Sequence, residues 1–456
     1  MTEMGLLTKW NSLKGRIRLW QSARQNLRSL LGNTAVVLLS NGIFKASNAI
    51  LFIVMTHSLG KTAAGNFSIA TTWVAITLNL ALFGLDEILV REAAGLSDVK
   101  RLFANLLLVR IALTVVFALA LGFFLVGTGI YSADLTLLIV FFAVGTIGDG
   151  IFLLCQALFM SQGLVNHVFL TTAVIGGLRL VLGVGLLVLK AGLVPLVLLF
   201  VFTSTAGAVF AVWLAIQRVL LTSLSGLVRQ IDIQYVRRLL AQSSSFFWIG
   251  LFVMAEFQGD VLLLSVFKSA AEVAVYSSAQ TLIIGAWIVP QAYRAVIYPR
   301  MAKAAKESAA KSWHFFKVST GLSLVLGALF SGGLALFARF LIGLLYPKGF
   351  EISAVILEIF CLPLLFAFLS APSSRMLLTV HKENTAAILM GISMAINILA
   401  NLILIPPFGP LGAVGARVLS SGAFCMLSYV VLLRLRCLGN DQTTQDQGGY
   451  LGTRLE

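Results

Sequence analysis

The stretch "FKSAAEVAVYSSAQT" (267–281) has a counterpart far upstream in "GKTAAGNFSIATT" (60–72). Each runs lysine, a small hydroxyl, Ala-Ala, and then an aromatic, Ser and Ala. A two-residue insertion in the later copy brings Lys61 beside Lys268 and Phe67 beside Tyr276. In both places the motif follows one apolar run and opens the next. The chain therefore reads as a duplication with both copies running the same way, related by an axis along a membrane normal.

The runs around the motif are what make it a membrane reading. Hydrophobic residues form 59% of the chain and charged ones 11%, against about a quarter charged in soluble domains. Mean hydropathy is +0.96. A helix needs about 20 apolar residues to cross a bilayer, and continuous rather than alternating runs argue against a β-barrel. Runs and breaks place twelve spans at 35–58, 64–89, 103–127, 135–160, 168–189, 193–217, 238–266, 270–297, 316–345, 351–373, 385–406 and 411–434. The expected fold is an all-α polytopic protein with 12 transmembrane helices in two parallel-repeat six-helix bundles around a central cavity. Its parts are a basic amphipathic N-terminal helix (1–34), a first bundle (35–220), a linker (221–237), a second bundle (238–434) and a tail (435–456).

The net charge of +15 is read as topology, because cytoplasmic loops concentrate Lys and Arg; it is not a nucleic-acid signal. With the N-terminus inside, the outer connections hold only Lys61, Lys190, Lys268 and Lys348, whereas the tails and inner connections with their edges hold most of the rest, Arg294 and Arg375 among them. This predicts N-in and C-in. In residues 1–34, Leu6, Trp10, Leu13, Ile17 and Trp20 recur at helical spacing between basic residues, as in a helix lying on the inner surface. Cys155, Cys361, Cys425 and Cys437 are far apart with no CxxC pair, so neither a disulfide framework nor a zinc site is expected. His57, His167, His314 and His381 carry no metal-ligand spacing. The loops are short, which favours transport over catalysis.

Four patterns carry a family resemblance: "GLDEILVREAA" (84–94), "GDVLLLSVFKSAAEVAVYSSA" (259–279), "IYPRMAK" (297–303) and "NILANLILIPPFGPLGAVGARV" (397–418). In order and spacing the chain resembles the polysaccharide-flippase branch of the multidrug/oligosaccharidyl-lipid/polysaccharide exporter superfamily, and its closest type looks like the Wzx flippases. One departure is Val273-Ala274, where the family often shows Val-Gly. The resemblance implies a non-enzyme that moves undecaprenyl-diphosphate-linked oligosaccharides across the bacterial inner membrane by alternating access. Membrane lipids, a polysaccharide polymerase and a chain-length regulator are the partners it implies. The glycan would serve O-antigen, capsule, exopolysaccharide or lipopolysaccharide biosynthesis.

Such a lipid sets a physical problem, since bare charge cannot cross hydrocarbon. A polar cleft lined with cations would hold the diphosphate, and Arg suits phosphate through its planar fork. The candidates inside spans are Lys45, Arg110, Arg179 and Arg417. Each could instead pair with a neighbouring carboxylate or snorkel to an interface. Asp149 reads as a partner for Arg179 on the next span, and Glu358 stays ambiguous near a span end. Glu256 and Asp260 are four apart and share one helical face. In low dielectric they will not both stay ionised without a cation: one is protonated, or a Lys, Arg, Na⁺ or proton serves them. Some members of the superfamily couple to ions through the second bundle, so Asp260, Glu256, Asn397 and Asn401 are the candidates for a Na⁺ or H⁺ site. Interhelical hydrogen bonding is the plainer alternative. No other cofactor is expected.

Pro290 lies inside span eight and should kink it, as a hinge or as static shape. Gly409 is the residue suited to the tight turn after Pro406 and Pro407. Two rival functions remain open: a cation-coupled multidrug exporter of the same superfamily, which would want a less cationic pocket, and a membrane-embedded sugar polymerase or ligase, which would want a long outer loop.

Overall fold

The computed structural model describes residues 3–93 and 99–449, with side chains between 36 and 435 apart from 38, 41, 94–98, 224, 244–246, 248, 249 and 253. The amphipathic face expected over 1–34, the tail 435–456 beyond its first residue, and Cys437 lie outside the described side chains. Every element described is a helix. The first half holds α1 (Glu3–Leu82), α2 (Leu85–Ala93), α3 (Val99–Thr128), α4 (Ala133–Ser161), α5 (Val165–Val188) and α6 (Leu193–Ala215), and the connection carries the short α7 (Leu224–Val228). The second half holds α8 (Ile233–Phe267), α9 (Ala270–Ala286), α10 (Ile288–Glu307), α11 (Ala309–Leu345), α12 (Glu351–Thr379), α13 (Glu383–Phe408) and α14 (Pro410–Gly449).

Helices are what hydrocarbon demands, because each backbone N–H and C=O must find its partner within the segment. Among the described residues, 11 helical runs are long and apolar enough to cross a membrane. The first, Gly42–Leu82, has 41 residues, about 60 Å at 1.5 Å per residue, roughly twice a bilayer core. It is broken at Gly60, where φ is 79°, a value costly for any side chain. Outer helix faces are bare and apolar: Phe123 is 79% and Leu336 84% exposed, as lipid contact requires.

Helices α1 to α6 pack among themselves, α8 to α14 likewise, and α1 joins the halves by packing on α8 and α9. The repeated motif lies at this joint. Helix α9 starts at a capping box in which Ser269 Oγ accepts from the Glu272 N–H and the Ser269 N–H donates to Glu272 Oε2. Just past the break in α1, Gly65 approaches this start so closely that a Cβ on it would lie 1.7 Å from the Ala270 carbonyl oxygen. Only a missing side chain lets the two copies cross there. Small residues serve elsewhere too: a Cβ on Gly148 of α4 would meet Ser204 of α6 at 2.7 Å, the close backbone approach that stabilises helix pairs in lipid.

Hydrogen bonds also link the halves near Gly60. His57 Nε2 donates to the Leu345 carbonyl at 3.0 Å, and the Lys61 ammonium donates to the Gly349 carbonyl while lying 5.3 Å from the Phe350 ring centre. Tyr131 and Ser265 share a hydrogen bond of 2.6 Å.

Three sequence readings are refined. The helical run expected to kink at Pro290 breaks at Trp287, between α9 and α10; Pro290 offers no N–H and its ring crowds the preceding turn. Helix α13 continues through Pro406 and Pro407 to Phe408, and the chain turns at Gly409 with φ 56°. The linker is pinned to α3: Asn105 accepts from the Asp232 N–H and donates to the Gln230 carbonyl, and Arg101 bonds Asp232 at 2.6 Å.

Candidate functional site

Glu256 and Asp260 lie on α8, whose apolar length holds them in the second half. Asp260 is fully buried, and four donors surround it. Its Oδ2 accepts from Arg417 Nη2 at 2.7 Å, Arg417 Nε at 2.9 Å and the Tyr276 hydroxyl at 2.6 Å. Its Oδ1 accepts from Asn401 Nδ2 at 2.8 Å. Helices α8, α9, α13 and α14 thus meet at one carboxylate. The forked contact with Arg417 is the strong kind of ion pair, short and charge-assisted.

The polar chain continues along α13. Asn401 Nδ2 also donates to Asn397 Oδ1 at 3.1 Å, and Asn397 Nδ2 reaches Ser420 Oγ on α14 at 3.4 Å. The 3.6-residue period puts 397 and 401 on one face. Glu256, one turn before Asp260, stands 3.9 Å from Arg417 Nη1 and is partly exposed. Of the alternatives the sequence left for these two acids, the structure supplies an arginine.

This arrangement bears on the ion-site candidates. Asp260, Glu256, Asn397 and Asn401 do come together, but the guanidinium of Arg417 holds the position beside Asp260 that a free cation would need. Arg417, taken from the sequence as a candidate for phosphate, faces carboxylates here. Among the described residues no group of three or more His, Cys, Asp or Glu could hold a metal ion.

In the first half Arg110 and Arg179 also meet acids. Arg110 on α3 is completely buried and bonds Asp86 of α2; Gly150 of α4 makes room, since a Cβ there would lie 3.2 Å from Arg110 Cδ. Arg179 on α5 donates to Thr203 Oγ1 at 3.0 Å and Ser204 Oγ at 2.9 Å, with Asp149 at 3.8 Å and the Phe200 ring 4.5 Å from its guanidinium carbon. Lys45 on α1 is half-buried and forms no ion pair among the described residues. Glu358 on α12 pairs with Arg339 of α11 at 2.9 Å.

Beside the Asp260 cluster lies a cavity of about 380 Å³ between α8, α10, α12, α13 and α14, with Trp287 at the α9–α10 junction. Arg294 and Arg375, counted from the sequence with inner connections, line it together with Glu256. Arg294 donates from Nη2 to the Ala367 carbonyl at 3.2 Å and lies 3.4 Å from Ser370 Oγ. Arg375 lies 5.5 Å from the Tyr298 ring centre. The sequence hid them because both fall near the polar ends of their spans. Helix α12 runs on to Thr379, which makes Arg375 a helix residue and not a loop one. Tyr276 was also missed as a site residue, although the repeat motif contains it.

Residues 30–305, more than half of the chain, match the family described as polysaccharide biosynthesis protein. The chain belongs to that family. Several solved structures share the fold at low identity. One is the lipid II flippase MurJ in its inward closed conformation, 12% identical, with a TM-score of 0.68 over 88% of this chain and 87% of that one. Another is an inward-facing multidrug resistance MATE family transporter of the MOP superfamily, 14% identical, with a TM-score of 0.66 over 86% and 95%. A third is the MATE multidrug transporter DinF-BH, 16% identical, with a TM-score of 0.61 over 89% and 95%. No curated protein matches the chain in sequence. The family member described here is therefore a multi-pass membrane protein whose fold is shared by the MurJ and MATE structures.

Proposed function

We propose that this protein is a Wzx-type flippase that moves undecaprenyl-diphosphate-linked oligosaccharide units from the inner to the outer leaflet of a bacterial inner membrane. The glycan would be an O-antigen, capsule or exopolysaccharide unit. The observation that carries the reading is the arginine-bearing cavity inside an apolar bundle of a polysaccharide biosynthesis family member. A sugar headgroup needs such a polar enclosure to cross hydrocarbon, while its polyprenyl tail stays in lipid. Twelve crossings, N-in and C-in, in bundles 35–220 and 238–434 belong to the same proposal. So do a bend at Pro290 that moves between states, and cooperation with a polymerase and a chain-length regulator.

Coupling to an ion gradient is part of the reading. Glu256 is the carboxylate able to exchange a proton or Na⁺, because it is partly exposed beside the cavity while Asp260 is closed off by Arg417, Tyr276 and Asn401. A multidrug exporter is the second reading, favoured by the MATE structures that share the fold. Against it, Arg294 and Arg375 would repel a cationic drug. A deletion strain decides between them. The flippase reading expects lipid-linked repeat units to build up on the cytoplasmic leaflet; drug sensitivity without that build-up would overturn it.

A further inference from the structure

The two arginines of the cavity differ from Arg417 and Arg339, the other arginines at span depth in the second half. Arg417 has Asp260, and Arg339 has Glu358. Arg294 and Arg375 form no ion pair among the described residues, and the Nε of each is buried without a hydrogen-bond partner. Buried donors are nearly always satisfied, and an uncompensated charge in a low-dielectric site is costly. Two such groups on α10 and α12 line one cavity. The carboxylate there, Glu256, already faces Arg417. The enclosure therefore carries a positive surplus with donors to spare.

Its volume of about 380 Å³ is in the range of small-molecule sites. Its walls also offer the Trp287 and Phe366 rings and the Ser374 hydroxyl, a lining that suits an amphipathic ring with one apolar C–H face and one charge. The guanidinium fork matches an oxyanion, carboxylate or phosphoryl. A bare diphosphate has no apolar face to set against the Trp287 and Phe366 rings, whereas a carboxylated sugar brings both a ring and a charge.

We propose that this cavity is a subsite for an acidic sugar of the transported glycan, one bearing a carboxylate, held by Arg294 and Arg375. The assignment rests on the flippase reading above and adds a substrate class to it.

The test uses full-length protein in nanodiscs, with glucuronate, glucose and inorganic pyrophosphate as probes followed by tryptophan fluorescence and calorimetry. Glucuronate should bind at least ten-fold more tightly than glucose. Arg294→Gln and Arg375→Gln should each weaken it about ten-fold. Glu256→Gln, which removes the repelling charge without cutting the fork, should tighten it several-fold; a lining that is merely structural would show no such gain, so this variant decides the matter even where an arginine variant misfolds. Equal binding of glucuronate and glucose overturns the proposal. Arginine-dependent binding of pyrophosphate without glucuronate also overturns it and makes the cavity a linker site. Separately, the lipid-linked glycan that builds up in the deletion strain should contain a carboxylated sugar. A neutral glycan sinks the subsite and leaves the flippase standing. Absence of any build-up sinks the flippase, and the nanodisc binding then decides the subsite alone.

Discussion

The contact between Asp260 and Arg417 ties α8 to α14 through a fully buried carboxylate, and cutting either partner should be expensive in a way that cutting both is not. Asp260→Asn leaves the Arg417 guanidinium with only the distant Glu256 as counter-charge. It also sets an amide N–H₂ among donors from Tyr276 and Asn401. Removing one member of a buried pair costs about 3–5 kcal/mol. With an unfolding entropy of about 2.1 cal/mol/K per residue over 456 residues, about 1 kcal/mol moves the midpoint about 1 °C, so the single variant should lose about 3–5 °C. Arg417→Met, which strands the carboxylate, should lose a similar amount. The double variant removes both charges and fills the volume with an apolar side chain, a swap that is often near neutral. Its loss should fall short of the sum by at least about 2 kcal/mol, inside the range seen for contacting pairs. The assay is a double-mutant cycle on thermal unfolding of purified protein in one detergent. Additive losses, within about 0.5 kcal/mol, would show that the pair is not a coupled unit and would refute the reasoning.

Three further outcomes follow from other contacts. Gly65→Val should prevent close packing of α1 on α9, since even a Cβ there would lie 1.7 Å from the Ala270 oxygen; overpacking of this kind costs about 1–3 kcal/mol or more, read as lost folded yield on size-exclusion chromatography. Lys61→Met should remove a donor to Gly349 at the joint between halves, lowering stability by about 0.5–1.5 kcal/mol. The same variant should leave the described fold intact by size-exclusion chromatography, and an unchanged unfolding midpoint would count against the contact. Asp232 is held below the usual carboxylate range by its hydrogen bond from Arg101 and by the backbone N–H groups of Tyr235 and Gln234. A lowered folded-state value means that its stabilisation is complete above the ordinary Asp range and is lost as pH falls through the depressed value. Asp232→Asn should therefore lower stability at pH 7, where that contribution is complete, and its curve should converge with the parent's as pH falls below the ordinary Asp range.

Much of the candidate site was legible one residue at a time. Intramembrane charge stands out against an apolar background, so Asp260, Glu256, Arg110, Arg179 and Arg417 could be named from composition alone. The i, i+4 spacing of Asn397 with Asn401 and of Glu256 with Asp260 fixed their shared faces. Pairing between distant helices was less legible: Arg417 lies far from Asp260 in the chain, and Asp86, the partner of Arg110, drew no notice within a motif read for family likeness. Arg294 and Arg375 were counted with the inner connections and their edges, because a charge count cannot tell a cation at an apolar run's end from one turned into a bundle.

The sequence by itself determined that the chain is a set of membrane helices, since length and hydropathy depend only on local chemistry and periodicity, and the twin motifs at 60–72 and 267–281 made a duplication the expectation. Tertiary structure alone decided which buried charge neutralises which, and where a cavity with unpaired arginines opens. The cost of a buried charge depends on what lies within a few ångströms of it, and that neighbourhood is assembled from helices far apart in the chain.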